Sequence, residues 1–136
     1  MEPPITSHQS PVTALVKSHK DLDVWKDGIQ LVKAVYLATN GYPKEEMYGL
    51  ASQMRRAAVS VVSNTAEGAA RQGNKEFVQF LYIALGSASE LDTQIEVSRE
   101  IGLGSSKELL EVQQKLESIS KMIQGLIRSV KNSPNH

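Results

Sequence analysis

Apolar residues recur three and four positions apart in four successive stretches, the signature of amphipathic helices. The cleanest stretch is the last: Leu109, Val112, Leu116, Ile119, Ile123, Leu126 and Val130 form an alternating three-four seam. Before it, Phe77, Leu81, Ala84 or Leu85, Ala88, Leu91 and Ile95 define a third helix, with Val78, Phe80 and Ile83 outside its stripe. Leu50, Met54, Ala57 or Ala58, Val61 and Val62 give the face of a second helix, and Val59 points a second way. The first helix reads as Trp25, Ile29, Val32 and Val35 or Tyr36, with Val24 and Leu31 widening the face. Apolar side chains beyond a single stripe are the mark of a further contact, commonly another subunit.

The punctuation between these stretches is short. Asp21 or Asp23 is placed to cap the first helix, and Asn40-Gly41 to end it with a left-handed glycine. Tyr42-Pro43 forces an extended step, and Pro43 to Glu46 reads as a first helical turn, with Gly49 as a kink before the second helix. Gln72-Gly73-Asn74 separates the second and third helices, Asn74 being a good N-cap. Gly102-Leu103-Gly104 closes the third helix, and Ser105 with Glu108 spells a capping box for the fourth. No segment alternates with the period of a strand. The expectation is an all-α, up-down-up-down antiparallel four-helix bundle over residues 21–131. Residues 1–20, with Pro3, Pro4 and Pro11, read as a flexible arm, and residues 132–136 as a frayed tail.

Composition narrows the chemistry. In 136 residues, 15 Lys+Arg balance 15 Asp+Glu, so no whole-surface polyanion footprint exists, although a local basic patch is compatible with neutrality. The chain has no cysteine, which removes disulfides and thiolate metal sites. His8, His19 and His136 fall in or beside the tails, so a helix-borne metal site or a Ser–His pair is not expected. The Glu-x-x-His motif of di-iron bundles does not occur. Gly68 to Lys75 superficially resembles a phosphate loop, but Asn74 separates its second glycine from the lysine and no strand precedes it. Glu67 and Glu90 are too far apart for a catalytic dyad. The sequence therefore predicts neither enzymatic activity nor a cofactor or metal. Without an apolar run long enough to span a bilayer or the core of a signal peptide, it reads as cytoplasmic and without a membrane partner.

Two sets of polar residues stand out. Gln53, Arg56, Ser60, Ser63 or Asn64, Glu67 and Arg71 recur on the second helix, and Gln79, Tyr82, Gly86, Glu90 and Thr93 on the third. Equal rise per residue about the Gly73 break sets Arg56 opposite Glu90, Ser60 opposite Gly86 and Asn64 opposite Tyr82. Two readings follow: a partly buried seam with a structural Arg56–Glu90 pair, or an exposed polar face with an incidental ion pair. Arg55, Arg56, Arg71 and Lys75 form the second set, either a solvated face or a phosphate-binding stripe for RNA or DNA.

Leu22-Asp-Val-Trp25, Tyr42-Pro43, Tyr48-Gly49-Leu50, Arg55-Arg56-Ala-Ala and Ser63-Asn64-Thr65-Ala66-Glu67-Gly68 resemble the "four helix bundle protein" family. These are small proteins encoded within intervening sequences of bacterial 23S ribosomal RNA genes. Phe77, Phe80-Leu81, Gly86-Ser87 and Glu90-Leu91 continue the resemblance, which spans Leu22 to Leu126, with Thr65 where isoleucine is usual. The resemblance implies a left-handed bundle assembled as a ring-shaped homopentamer. It is also similar to the barrel-shaped accessory protein of diversity-generating retroelements, a strongly basic protein that binds a reverse transcriptase and nucleic acid. The function expected on these grounds is a non-enzymatic, oligomeric scaffold that engages RNA or a nucleic-acid enzyme such as a reverse transcriptase. The alternative is a protein–protein adaptor without nucleic-acid contact.

Overall fold

The computed structural model describes residues 22–134; the N-terminal arm expected over residues 1–20 and the last two residues of the tail lie outside them. Five helices follow in chain order: α1 (Asp23–Thr39), the single turn α2 (Lys44–Met47), α3 (Leu50–Ala69), α4 (Asn74–Glu100) and α5 (Ser106–Lys131). Among the described residues there is no strand. α1 packs on α3 and α5, and α4 packs on the same two helices, while the diagonal pairs stay apart. Tyr42, just past α1, meets Met54 near the start of α3 and Ser98 near the end of α4, which sets α3 antiparallel to both α1 and α4. The result is the expected four-helix bundle, with α2 as a step between its first two long members.

The core is aliphatic. Leu31, Met54, Leu81, Leu91, Ile95, Leu109, Ile119 and Ile123 are fully enclosed, each worth about 1.5–3 kcal/mol for leaving water. The α5 seam matches the sequence pattern except near its end, where Ile127 is buried and Leu126 only half so. Along α4 the buried stripe is the expected one, and Val78 joins it.

On α1 the face is rotated from the expected one. Val24, Gly28, Leu31, Val35 and Ala38 are buried, whereas Ile29 and Tyr36 are exposed and Trp25 and Val32 only partly covered. Gly28 explains the rotation: a Cβ there would lie 2.8 Å from Val62 Cγ2, so α1 approaches α3 through its smallest residue.

The helix ends also differ in places. The cap of α1 is Leu22, whose carbonyl accepts from both Trp25 and Lys26, and Asp23 is already helical; Asp21 lies outside the described residues. Asn40 ends α1 in right-handed geometry, and Gly41 has no positive φ. α4 is capped at Gly73, not Asn74, because the Asn74 side chain turns inward to donate to the Val130 carbonyl at 3.3 Å. The α4–α5 connection is as expected. Leu103 N–H reaches Ser98 O at 2.8 Å and Gly102 N–H reaches Arg99 O, with Gly102 left-handed at φ +77°, a Schellman closure. Ser105 Oγ then accepts from Glu108 N–H at 3.0 Å.

Tyr42 plugs this end of the bundle. Its hydroxyl donates to Ser98 Oγ at 2.6 Å, and Gly104, at φ +79°, leaves room for the ring. Burial pushes the phenol above its usual value of 10.0, with the Ser98 hydrogen bond pulling the other way.

Candidate nucleic-acid interface

The polar seam is shallower than the buried reading requires. Ser60 Oγ meets Ser87 Oγ at 2.8 Å, so the α3–α4 register is one residue away from the expected Ser60–Gly86 pairing. One residue swings a helical side chain by about 100°, which turns Gly86 and Glu90 outward. Arg56 and Glu90 are both exposed, as the exposed-face reading has it, but they do not form the ion pair that both readings expect. Glu90 instead lies 3.5 Å from Gln94 Nε2, a long contact, and the buried Gln94 Oε1 has no hydrogen-bond partner. Asn64 does not meet Tyr82: its amide donates back to Ser60, at 2.9 Å to the carbonyl and 3.0 Å to the hydroxyl. Tyr82 accepts from Lys131 Nζ at 3.0 Å, Glu67 pairs with Arg71 on the surface, and Gln53 is exposed. The close α3–α4 approach is made by Gly68, whose absent Cβ would lie 2.8 Å from Phe80 Cβ and 3.1 Å from Phe77 O.

The four basic candidates do not form one stripe. Arg55 and Arg56 sit near the start of α3, whereas Arg71 and Lys75 flank its far end, roughly 20 Å away at the helical rise. At that far end Arg71 lies over the Phe80 ring, 4.7 Å from its centroid, and is neutralised by Glu67 Oε2 at 3.1 Å. Lys75 is exposed beside a groove of about 410 Å³ between the start of α4 and the end of α5, whose wall includes Tyr82 and Lys131.

The near end is more ordered. Arg55 Nε donates to Thr39 Oγ1 at 2.9 Å, and the Thr39 hydroxyl donates in turn to Val35 O at 2.7 Å. The guanidinium covers the Tyr36 ring at 4.5 Å from its centroid, an attraction of about 0.5–1 kcal/mol at an exposed site. Arg56 is the next residue round the helix and is exposed. Both line a groove of about 540 Å³ closed by Tyr36, Tyr48, Ser52 and Val59. No acidic side chain lines it. Glu46, the nearest helix acid in sequence, directs Oε1 at the Leu50 N–H, 3.4 Å away, at the start of α3.

Among the described residues, Arg71 and Arg99 have carboxylate partners, in Glu67 and Glu96, and neither Arg55 nor Arg56 does. Two uncompensated guanidiniums in a groove with tyrosines attract phosphate and offer flat surfaces to bases. Tyr36 and Tyr48 are not among the site residues expected from sequence, where Tyr36 is only an alternative to Val35 on the core face of the first helix. The available signal was position, since both tyrosines precede the Arg55-Arg56 pair within one helical hairpin.

Among the described residues no three His, Cys, Asp or Glu side chains gather to hold a metal, and no helix is long and apolar enough to cross a membrane.

Comparison with known proteins adds a family. The family model described as 23S rRNA-intervening sequence protein matches residues 20–125. Among solved structures, one similar fold is a protein of unknown function from the S23 ribosomal protein family of Bacteroides thetaiotaomicron. It superposes with a TM-score of 0.70 at 20% sequence identity, covering 77% of this chain and 95% of its own. At that identity the likeness is one of fold. No curated protein sequence matches significantly.

Proposed function

Since the chain belongs to the 23S rRNA-intervening sequence protein family, we propose that it is a non-enzymatic bundle that engages structured RNA through the Arg55–Arg56 groove. The observation that supports this most is the pair of guanidiniums without carboxylate partners among the described residues, beside two tyrosines and no acidic wall. Overall neutrality does not oppose it, because the field that phosphates meet is local. Arg71 and Lys75 lie at the other end of α3, and Arg71 is already compensated, so they are secondary contacts in this reading.

The test is fluorescence anisotropy with a labelled hairpin transcribed from a 23S rRNA intervening sequence. Affinity should fall as salt rises, and an Arg55→Ala/Arg56→Ala double variant should bind more weakly. Its log-affinity against log-salt slope should shrink by about one for each phosphate contact removed. Salt-insensitive binding, or binding unchanged in the double variant, refutes the reading in favour of a protein adaptor.

Self-assembly belongs to the same proposal. Leu37, Ile83, Ile101 and Leu110 each leave much of their apolar surface in water, Leu37 at 59% exposure. Covering such side chains between copies recovers part of the roughly 1.5–3 kcal/mol that burial of each is worth, and a head-to-tail contact that closes on itself makes a ring. Five copies is the number the family resemblance implies. Light scattering at micromolar concentration should give a mass near five chains; a smaller oligomer discards that stoichiometry, and a monomer discards assembly altogether.

A further inference from the structure

We infer that Tyr48 is a stacking platform for an unpaired base, so that the groove selects a single-stranded loop or end over a continuous duplex. The inference rests on the RNA reading of the same groove and adds which form of RNA fits it.

Tyr48 is 95% exposed, the most exposed of the large hydrophobic side chains among the described residues. A ring so placed contributes almost nothing to the bundle, since the benefit of burying an aromatic scales with the area removed from water. Its backbone is nonetheless fixed. Glu46 N–H donates to Pro43 O at 2.9 Å and Gly49 N–H to Glu46 O at 3.2 Å, locking the turn of α2 that carries it. The other groove tyrosine differs: Tyr36 already has the Arg55 guanidinium across one face. Tyr48 has both faces bare, at the rim of a groove whose cations are Arg55 and Arg56.

A bare aromatic face beside uncompensated guanidiniums matches what single strands offer. Unpaired bases stack on aromatic side chains while their phosphates meet cations, and stacking is tolerant of sequence. An A-form duplex offers phosphates and minor-groove 2′-hydroxyls but no open base face, because its bases are stacked on each other and its major groove is too narrow for side chains to read. Duplex should therefore use the arginines alone, and a loop should use the arginines and Tyr48.

The experiment compares a hairpin carrying 2-aminopurine in its loop with a fully paired duplex of equal charge, against wild type, Tyr48→Ala and Tyr48→Phe. Wild type should prefer the loop RNA, and Tyr48→Ala should weaken loop binding by about 5- to 150-fold while leaving duplex binding unchanged. Tyr48→Phe should retain loop binding, because the ring face and not the hydroxyl makes the contact. 2-Aminopurine fluorescence should be quenched by wild type and Tyr48→Phe and not by Tyr48→Ala. Equal binding of loop RNA by Tyr48→Ala, or an equal loss on both RNAs, overturns the inference. So does a Tyr48→Ala protein that changes its assembled mass and not its loop affinity, which would mark a contact between copies. If Tyr48→Ala leaves loop binding intact while binding of both RNAs still depends on Arg55 and Arg56, only the Tyr48 inference has failed. If neither RNA binds, the RNA reading has failed and takes this one with it.

Discussion

A Leu31→Ala variant should lose about 2–5 kcal/mol of stability, the largest effect expected of a single substitution in α1. Leu31 is completely enclosed where α1 packs on α3 and α5. Truncation forfeits its transfer energy and leaves a cavity, because helices fixed by Gly28 against Val62 and by the Tyr42 plug have little freedom to collapse into it. Ile29→Ala is the control. It removes a side chain of similar volume that is 41% exposed, and should cost less than about 1 kcal/mol, within the range of surface substitutions. Urea unfolding midpoints at constant slope measure both. Equal losses at the two positions would mean that α1 is rotated the way its hydropathy alone suggests.

Gly68→Ala should destabilise by about 1–3 kcal/mol, the usual cost of overfilling a packed contact, whereas Gly86→Ala should stabilise by about 0.5–1 kcal/mol through helix propensity. Both glycines lie within helices and neither has a positive φ, so the difference is packing alone. A methyl at position 68 meets Phe80 Cβ at 2.8 Å, Phe77 Cδ1 at 2.9 Å and the Phe77 carbonyl at 3.1 Å. Two of these atoms move only with the α4 backbone, so α3 and α4 must separate at the end where Arg71 lies over Phe80. At position 86 the methyl meets nothing within 4 Å. Thermal unfolding of the two variants checks the sign. A Gly68→Ala protein as stable as wild type would contradict the close approach.

These residues show where the fold was legible in sequence. α5 was read almost completely, because its buried positions are large aliphatics and its outward ones are polar. α1 was misread by its own strongest signals. Trp25, Ile29 and Tyr36 dominate any hydropathy pattern, while the buried Gly28, Ala34 and Ala38 carry little weight in it. The intimacy of two backbones at a glycine is a pair property and has no trace in one helix's period. The polar seam failed by a single residue of register. Equal rise about Gly73 is a good rule, but it does not fix register to the residue across the four-residue connection between Ala69 and Asn74. For the groove, Arg55 and Arg56 were legible as charge. Their separation from Arg71 and Lys75 follows from the rise along α3, whereas the nakedness of Tyr48 depends on how α2 steps the chain between α1 and α3.

The Thr39–Arg55–Tyr36 arrangement has a consequence for binding that concerns entropy instead of contact. A free arginine side chain carries about 2 kcal/mol of rotamer freedom, which ordering it on a ligand would remove. Arg55 gave up much of that freedom when α1 and α3 packed, since its Nε is tied to Thr39 and its plane lies on Tyr36. Its terminal nitrogens, which carry four of the five N–H donors, make no other hydrogen bond among the described residues. An anion arriving in the groove thus meets one guanidinium already immobilised by folding and one, Arg56, that must still be ordered on arrival. The first acts as a rigid template and the second as an adjustable arm, so two adjacent residues of identical charge differ in how much of their attraction survives as affinity.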